Sequence, residues 1–215
     1  RRLRDGAVLP ADVPFIGAEL AGALAYIHDR GVVHRDVKPA NILLPPTVPG
    51  TAPRAKLTDF GIARILGGAR ITAAGATLGT ANYLSPEQAL GGAVEPRTDI
   101  YSLGLVLLEC LTGEKAFPGP IVESAVARLV RDPEIPAELG TDWVDLLRAM
   151  TARTVEARPE AHDAATALRA LAVEPEVLQQ FVEQAESGPD DAITGGVTTG
   201  NVYIPLPPAH APSLG

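Results

Sequence analysis

The chain has 215 residues, 46% of them hydrophobic, and a formal net charge of −8. That is enough apolar material for one domain with a sizeable core, and the acidic balance argues against nucleic acid or an anionic membrane surface as a partner. The single cysteine, Cys110, rules out an internal disulfide and, within an apolar helical stretch, reads as a small buried residue.

The longest apolar run, Leu103–Leu111, is interrupted by Glu109. It falls well short of the roughly 18 residues that cross a bilayer, so no membrane span is expected. Arg1 is not preceded by an initiator methionine, and nothing near it reads as a signal or transit peptide.

In chain order, Asp12 before Val13-Pro14 reads as a helix cap with proline in the first turn. Ile16, Leu20, Leu24 and Ile27 then recur at helical spacing, and Gly31 marks the stop. Ile42-Leu43-Leu44 and Ala55-Lys56-Leu57-Thr58 are short strand signals. Pro45-Pro46, Pro49-Gly50 and Pro53 make the connection between them a long, irregular hairpin loop. Residues 62–82 are rich in Gly, Ala and Thr without periodicity and read as a mobile loop.

Thr98-Asp99 is expected to cap a helix that runs to Thr112 and closes at Gly113. Its apolar residues cover most faces, which places it at the centre of the fold. Further helices are expected near 121–131, 142–152 and 161–172. Trp143, Leu146, Leu147 and Met150 form one core stripe in the second of these. Residues 173–186 are compatible with one more helix. Beyond Ser187, Gly, Pro, Thr and Asp dominate, so 187–215 is expected to be a disordered tail or linker. There is no internal repeat.

The chemistry is concentrated in two short stretches. Residues 34–41 read His-Arg-Asp-Val-Lys-Pro-Ala-Asn, and Asp59-Phe60-Gly61 follows the second strand signal. In this order they form the metal- and phosphate-handling half of a phosphoryl-transfer site. Asp36 can accept a proton from a substrate hydroxyl. Lys38 can neutralise charge on a transferred phosphoryl group. Asn41 and Asp59 offer oxygens to Mg²⁺, a cation that takes hard oxygen ligands. A phosphatase or nuclease would use more clustered carboxylates and gives no reason for Lys38 or for Ser85-Pro86-Glu87.

These motifs resemble the catalytic domain of the Ser/Thr protein kinase family, and most of all its bacterial members of the eukaryotic type. Gly79-Thr80-Ala81-Asn82-Tyr83-Leu84-Ser85-Pro86-Glu87-Gln88-Ala89 and Thr98-Asp99-Ile100-Tyr101-Ser102-Leu103-Gly104 carry the likeness, which spans residues 1–172. The resemblance implies a mainly α fold: the large C-terminal lobe of a kinase, with short β-hairpins around the catalytic loop. It implies ATP and Mg²⁺ as cofactors, proteins with Ser or Thr acceptors as substrates, and a cytoplasmic location, either free or as the cytoplasmic part of a membrane-anchored parent.

The resemblance also implies roles at matching positions. Asp36 would be the catalytic base, and Lys38 would contact the γ-phosphate. Asn41 and Asp59 would bind the metal, while Leu43 and Thr58 would form part of the floor and back of the adenine pocket. Thr80 would bridge Asp36 and Lys38. His34 would pack beneath Phe60, Asp99 would accept hydrogen bonds from catalytic-loop N–H groups, and Glu87 would pair with Arg158. Arg35 and Arg64 would collect a phosphothreonine, with Thr72 and Thr77 as the candidate acceptors.

The smaller lobe of such a kinase supplies a Gly-rich loop over the phosphates, a strand lysine and a helix glutamate. The only lysines are Lys38, Lys56 and Lys115, and Lys56 lies on the strand leading to Asp59. Gly67-Gly68 and Gly75–Gly79 come after Asp59 and do not follow a strand as required. The chain is therefore expected to begin inside the large lobe, with the N-lobe segment of the same protein as its missing partner. The alternative is a non-catalytic, kinase-like binding module. An upstream G-x-G-x-x-G strand pair followed by V-A-x-K would separate the two.

Overall fold

The computed structural model describes residues 3, 8–46, 51–59 and 81–172. Every described residue belongs to one compact unit, within residues 1–175. The expected helix at 173–186, the tail at 187–215 and most of the 62–82 loop lie outside the described residues. The end of that loop, Ala81–Tyr83, is a 3-10 turn.

Helix α1 spans Val13–His28 and grows directly out of a 3-10 turn at Pro10–Asp12. Asp12 already has helical dihedrals and makes no side-chain cap bond, so the expected cap is absent. The chain arrives wound, and a cap needs an extended residue before the first turn. Gly31, at φ 72°, takes the left-handed turn that ends the segment.

Between α1 and the central helix lies the hairpin of β1 (Ile42–Leu43) and β2 (Lys56–Leu57), antiparallel with Ile42 opposite Leu57. A short helix, α2 (Pro86–Leu90), was not foreseen. The longer α3 (Pro96–Thr112) begins two residues before the expected cap. Proline suits a first helical position because its missing N–H has no intrahelical partner to lose. Thr98 sits inside the first turn, where its Oγ1 accepts the Glu95 N–H at 3.2 Å. Every residue from Thr98 to Leu108 is buried, as the all-round apolar pattern required.

Helices α4 (Ile121–Val130), α5 (Thr141–Met150) and α6 (Ala161–Ala172) complete the unit. Val144, Leu147 and Met150 form the buried stripe of α5, while Trp143 and Leu146 are half-buried at its edge. Two glycines allow the helices to approach. A Cβ on Gly17 of α1 would stand 3.1 Å from both Leu107 of α3 and Leu168 of α6. One on Gly104 of α3 would stand 2.8 Å from the Thr151 methyl and 3.0 Å from Met150 Cβ, at the end of α5. The core is thus built from α1, α3, α5 and α6, and it leaves the chain between α1 and β1 to form a surface loop. Among the described residues no helix is long and apolar enough to cross a membrane.

Candidate active site

The loop between α1 and β1 is positioned from below by α3. Asp99, in the first turn of α3, accepts the His34 N–H at 2.8 Å and the Arg35 N–H at 2.7 Å, one on each carboxylate oxygen. His28, the last residue of α1, places Nε2 2.8 Å from the same carboxylate. Asp99 is only 1% exposed, so these contacts replace its hydration entirely. They also hold Arg35 at φ 68°, a left-handed conformation that costs a non-glycine residue on the order of 1–3 kcal/mol unless its surroundings enforce it.

His34 is fully buried beneath the loop. Its Nε2 lies 3.1 Å from the Thr58 carbonyl, and its Nδ1 accepts the Asp36 N–H at 3.3 Å. Burial lowers its pKa below the ordinary 6.5; the Asp99 carboxylate and the Thr58 carbonyl push it back only in part. A neutral imidazole has one donor and one acceptor nitrogen, which matches the two contacts. Phe60, the expected partner above it, lies outside the described residues.

The functional side chains form a second cluster in the same loop. Asp36 Oδ2 lies 2.8 Å from Lys38 Nζ and accepts a 3.0 Å hydrogen bond from Asn41 Nδ2. Asn41 Nδ2 also donates to the Asp36 carbonyl at 2.9 Å. The side chains of Asp36 and Lys38 each keep 19% of their surface exposed. The flanking residues Val37 and Ile42 are buried, so the loop is pegged on both sides of Lys38.

Asn41 connects this cluster to the second motif. Its carbonyl accepts the Thr58 N–H at 2.9 Å and the Thr58 hydroxyl at 3.1 Å. That pairing continues the β1–β2 ladder by one residue and delivers Asp59 immediately afterwards. Asp59 is exposed and has φ 57°. Leu43, half-buried on β1, follows Asn41 by two residues.

The geometry therefore joins Asp36, Lys38 and Asn41 directly and ties Thr58 to Asn41. Thr80, Arg64, Thr72 and Thr77 lie outside the described residues.

These residues suit a nucleotide-borne Mg²⁺. That cation keeps several waters and takes one or two protein oxygens plus phosphate oxygens. Asn41 commits its amide nitrogen to Asp36, which leaves its Oδ1 to serve a cation, and Asp59 offers an exposed carboxylate. Among the described residues no three His, Cys, Asp or Glu side chains converge as a metal cage, and a cation bound chiefly by phosphates does not need one.

Glu87 and Arg158 meet across 71 positions of sequence in a two-pronged ion pair, at 2.8 and 2.9 Å. Thr98 donates a third bond to Glu87 at 2.7 Å. Arg158 spends its remaining donors on the carbonyls of Ala152, Arg97 and Arg153. Burial alone would raise the Glu87 pKa. The hydrogen bonds from Arg158 and Thr98 outweigh it and hold the carboxyl below its ordinary value.

Three further contacts were missed in the sequence. Ser85 and Gln88 form a capping box, each accepting the other's backbone N–H, at 3.2 and 3.0 Å. The Ser-x-x-Gln spacing was a legible signal for it. Gln88 Nε2 also donates to the Arg35 carbonyl at 2.9 Å, tying α2 to the loop. Tyr83 donates its hydroxyl to Glu109 at 2.5 Å, and burial, helped by that carboxylate, raises the tyrosine pKa far above its usual value. Neither contact leaves a local pattern. Cys110 is half-buried, and its thiol pKa is pushed up to about 12, first by burial and then by Glu109, which disfavours the reactive thiolate.

A helical unit that clamps a His-Arg-Asp loop with a buried aspartate, beside a two-stranded hairpin carrying the second aspartate, defines the class: this is the large-lobe architecture of a protein kinase. Residues 2–168 match the family model described as protein kinase domain, and the chain belongs to that family. It is 41% identical over 158 residues to the serine/threonine-protein kinase PknB of Mycobacterium leprae, covering 73% of this chain and 25% of the relative. It is 34% identical over 220 residues to PknB of Mycolicibacterium smegmatis, covering 96% of this chain and 34% of that protein. The serine/threonine-protein kinase PknA of Mycobacterium tuberculosis is 43% identical over 114 residues, 53% of this chain and 25% of the relative. The chain thus spans about a quarter to a third of the length of these curated relatives.

Proposed function

We propose that this chain is the catalytic-loop portion of a Ser/Thr protein kinase that transfers the γ-phosphoryl group of ATP to serine or threonine hydroxyls of other proteins. The observation that supports this most is the Asp36 carboxylate, poised between the Lys38 ammonium and the Asn41 amide. Asp36 orients the acceptor hydroxyl and takes its proton. Lys38 places its ammonium beside Asp36, within reach of negative charge that develops on a phosphoryl oxygen there. Asn41 and Asp59 would hold Mg²⁺, which would neutralise charge on the phosphoryl group that ATP supplies. Leu43 and Thr58 bound the adenine side, and Thr80 stabilises the Asp36–Lys38 arrangement. Phosphoryl transfer asks a protein chiefly for positioning and charge stabilisation, which is what these residues can offer. Arg35 and Arg64, with Thr72 or Thr77, form the phosphothreonine switch, and residues 1–172 are the catalytic-domain portion.

The three lysines are all accounted for outside a Gly-rich-loop lobe. On this reading residues 1–215 alone bind Mg²⁺-ATP only weakly and show no detectable transfer, because half of the nucleotide site is open to water, where charge contacts are screened. A radiolabelled phosphate-transfer assay tests this, run on residues 1–215 and on the parent protein with its upstream sequence. Activity in the parent alone is the expected result. Robust autophosphorylation by residues 1–215 would overturn the need for a second lobe. Silence from both would favour the non-catalytic binding module.

A further inference from the structure

We infer that Arg128 of α4 is a positioning residue for the segment Asn82–Leu84, which follows Thr80 in sequence and leads through Gln88 to the loop that the proposed kinase reading assigns to the acceptor hydroxyl. Arg128 is fully buried. Its Nε donates to the Ser124 carbonyl at 2.9 Å and its Nη2 to the Ser124 hydroxyl at 2.7 Å. Its Nη1 donates to the carbonyls of Leu84 and, at 3.4 Å, Asn82. The Phe117 ring lies 5.0 Å from the guanidinium carbon. Among the described residues no carboxylate pairs with it. Burial pushes its pKa down to about 10, so it stays charged at neutral pH.

A buried cation without a counter-ion is costly, and an apolar side chain of similar volume would fill the space more cheaply. What arginine adds here is donors for loop carbonyls. Segment 82–84 comprises the end of the 3-10 turn and the link to α2, and among the described residues it pairs with no strand, so its carbonyls are left to side chains or water. All three are met by side chains: Arg128 takes those of Asn82 and Leu84, and Ser102 Oγ donates to that of Tyr83 at 2.7 Å. Ser124 reinforces the grip by donating to Asn82 Oδ1 at 3.4 Å.

The same segment runs straight into Ser85 and Gln88, and Gln88 holds the Arg35 carbonyl. Upstream, two residues before Asn82, stands Thr80. Segment 82–84 is therefore held between the catalytic loop on one side and α4 on the other, and Arg128 is the side chain that fixes its backbone from α4.

Two measurements test this, and only the second depends on kinase activity. The first is amide hydrogen exchange on the full chain and on Arg128→Met and Arg128→Lys. Arg128→Met should speed exchange at 82–85 about tenfold or more, with α1 and α3 amides unchanged and Arg128→Lys intermediate. The second is steady-state kinetics of the parent protein. Arg128→Met should raise KM for the protein substrate about tenfold while KM for ATP and kcat stay near wild type, the pattern of lost substrate positioning, with Arg128→Lys recovering part of the affinity. Unchanged exchange at 82–85, or a uniform rise across all helices, overturns the inference. So does a loss shared equally by kcat and both KM values. If Arg128→Met does not fold, Arg128→Lys alone decides by the same localised change. A wild-type parent that transfers no phosphate would defeat the kinase reading and leave the exchange result to decide the anchoring.

Discussion

Asp36 keeps 19% of its side chain exposed and is held by Lys38 and Asn41, whereas Asp99 keeps 1% and is held by two backbone N–H groups and His28. The residue type is the same and the consequence is opposite. Partners carried on side chains can swing away: a lysine ammonium is a compact charge on a flexible stem. Backbone donors cannot move without refolding the loop. Charge on the open face is exchangeable and can be offered to a substrate. Charge in the layer beneath is locked and serves architecture. Glu87 and Arg158 belong with Asp99 in this sense, their bonds being closed among themselves, the Thr98 hydroxyl and neighbouring carbonyls.

Substitutions should divide along the same line. The largest effect is expected for Asp36→Asn in the parent kinase. If Asp36 is the general base, as proposed, its removal should lower the phosphate-transfer rate about 10²–10⁴-fold, while the melting temperature and nucleotide affinity stay near wild type. Asp59→Asn should instead weaken Mg²⁺-dependent nucleotide binding, read by titration with and without the metal. Equal, mild effects from both would erase the division of roles on the open face.

In the locked layer the expected loss is of stability. Glu87→Gln strands the Arg158 guanidinium, and breaking such a buried pair costs about 3–5 kcal/mol in denaturant unfolding. The deficit should also depend on pH. The folded Glu87 carboxyl sits below its ordinary value of 4.5, so its stabilisation is fully present above that pH. It fades as the pH falls through the lower folded value. The gap between wild type and Glu87→Gln should therefore narrow on acidification, and a gap that widens would contradict the pairing.

A smaller effect tests packing without charge. Gly104→Ala places a methyl 2.8 Å from Thr151 and 3.0 Å from Met150, against side chains that are themselves buried. Overpacking of this kind costs about 1–3 kcal/mol, which thermal unfolding would resolve. A neutral outcome would mean that α3 and α5 can slide apart, and that the platform beneath the loop is softer than its burial suggests.

The central elements were readable because their signals are local. Gly31, Gly113 and the apolar faces of α1 and α3 announce themselves within a few residues. The His34–Asn41 stretch is readable as chemistry for the same reason: His34, Arg35, Asp36, Lys38 and Asn41 stand within eight positions. The misplaced starts were errors of backbone context. Asp12 has the right side chain for a cap but sits in an already helical turn, and Thr98 has a cap's chemistry although Pro96 opens the helix. Arg128 was not readable. A basic residue in the last turn of a helix normally faces solvent and the negative end of the dipole. Only the irregular path of segment 82–84, set by tertiary packing, turns it inward. His28 is similar, since its value to the site exists only once Asp99 arrives from 71 positions away.

Gln88 carries a finer lesson about substitution. Its amide works in two directions at once: the oxygen closes the turn that begins α2, and the nitrogen reaches the Arg35 carbonyl. Helix starts accept glutamate or glutamine at this position interchangeably, so by local grammar the two are synonyms. In three dimensions they are not. A carboxylate would keep the turn closed yet set oxygen against oxygen at Arg35, pushing on the residue whose left-handed backbone shapes the loop. Exchanging one NH₂ group for one oxygen would leave α2 intact and disturb a site that α2 itself does not contain.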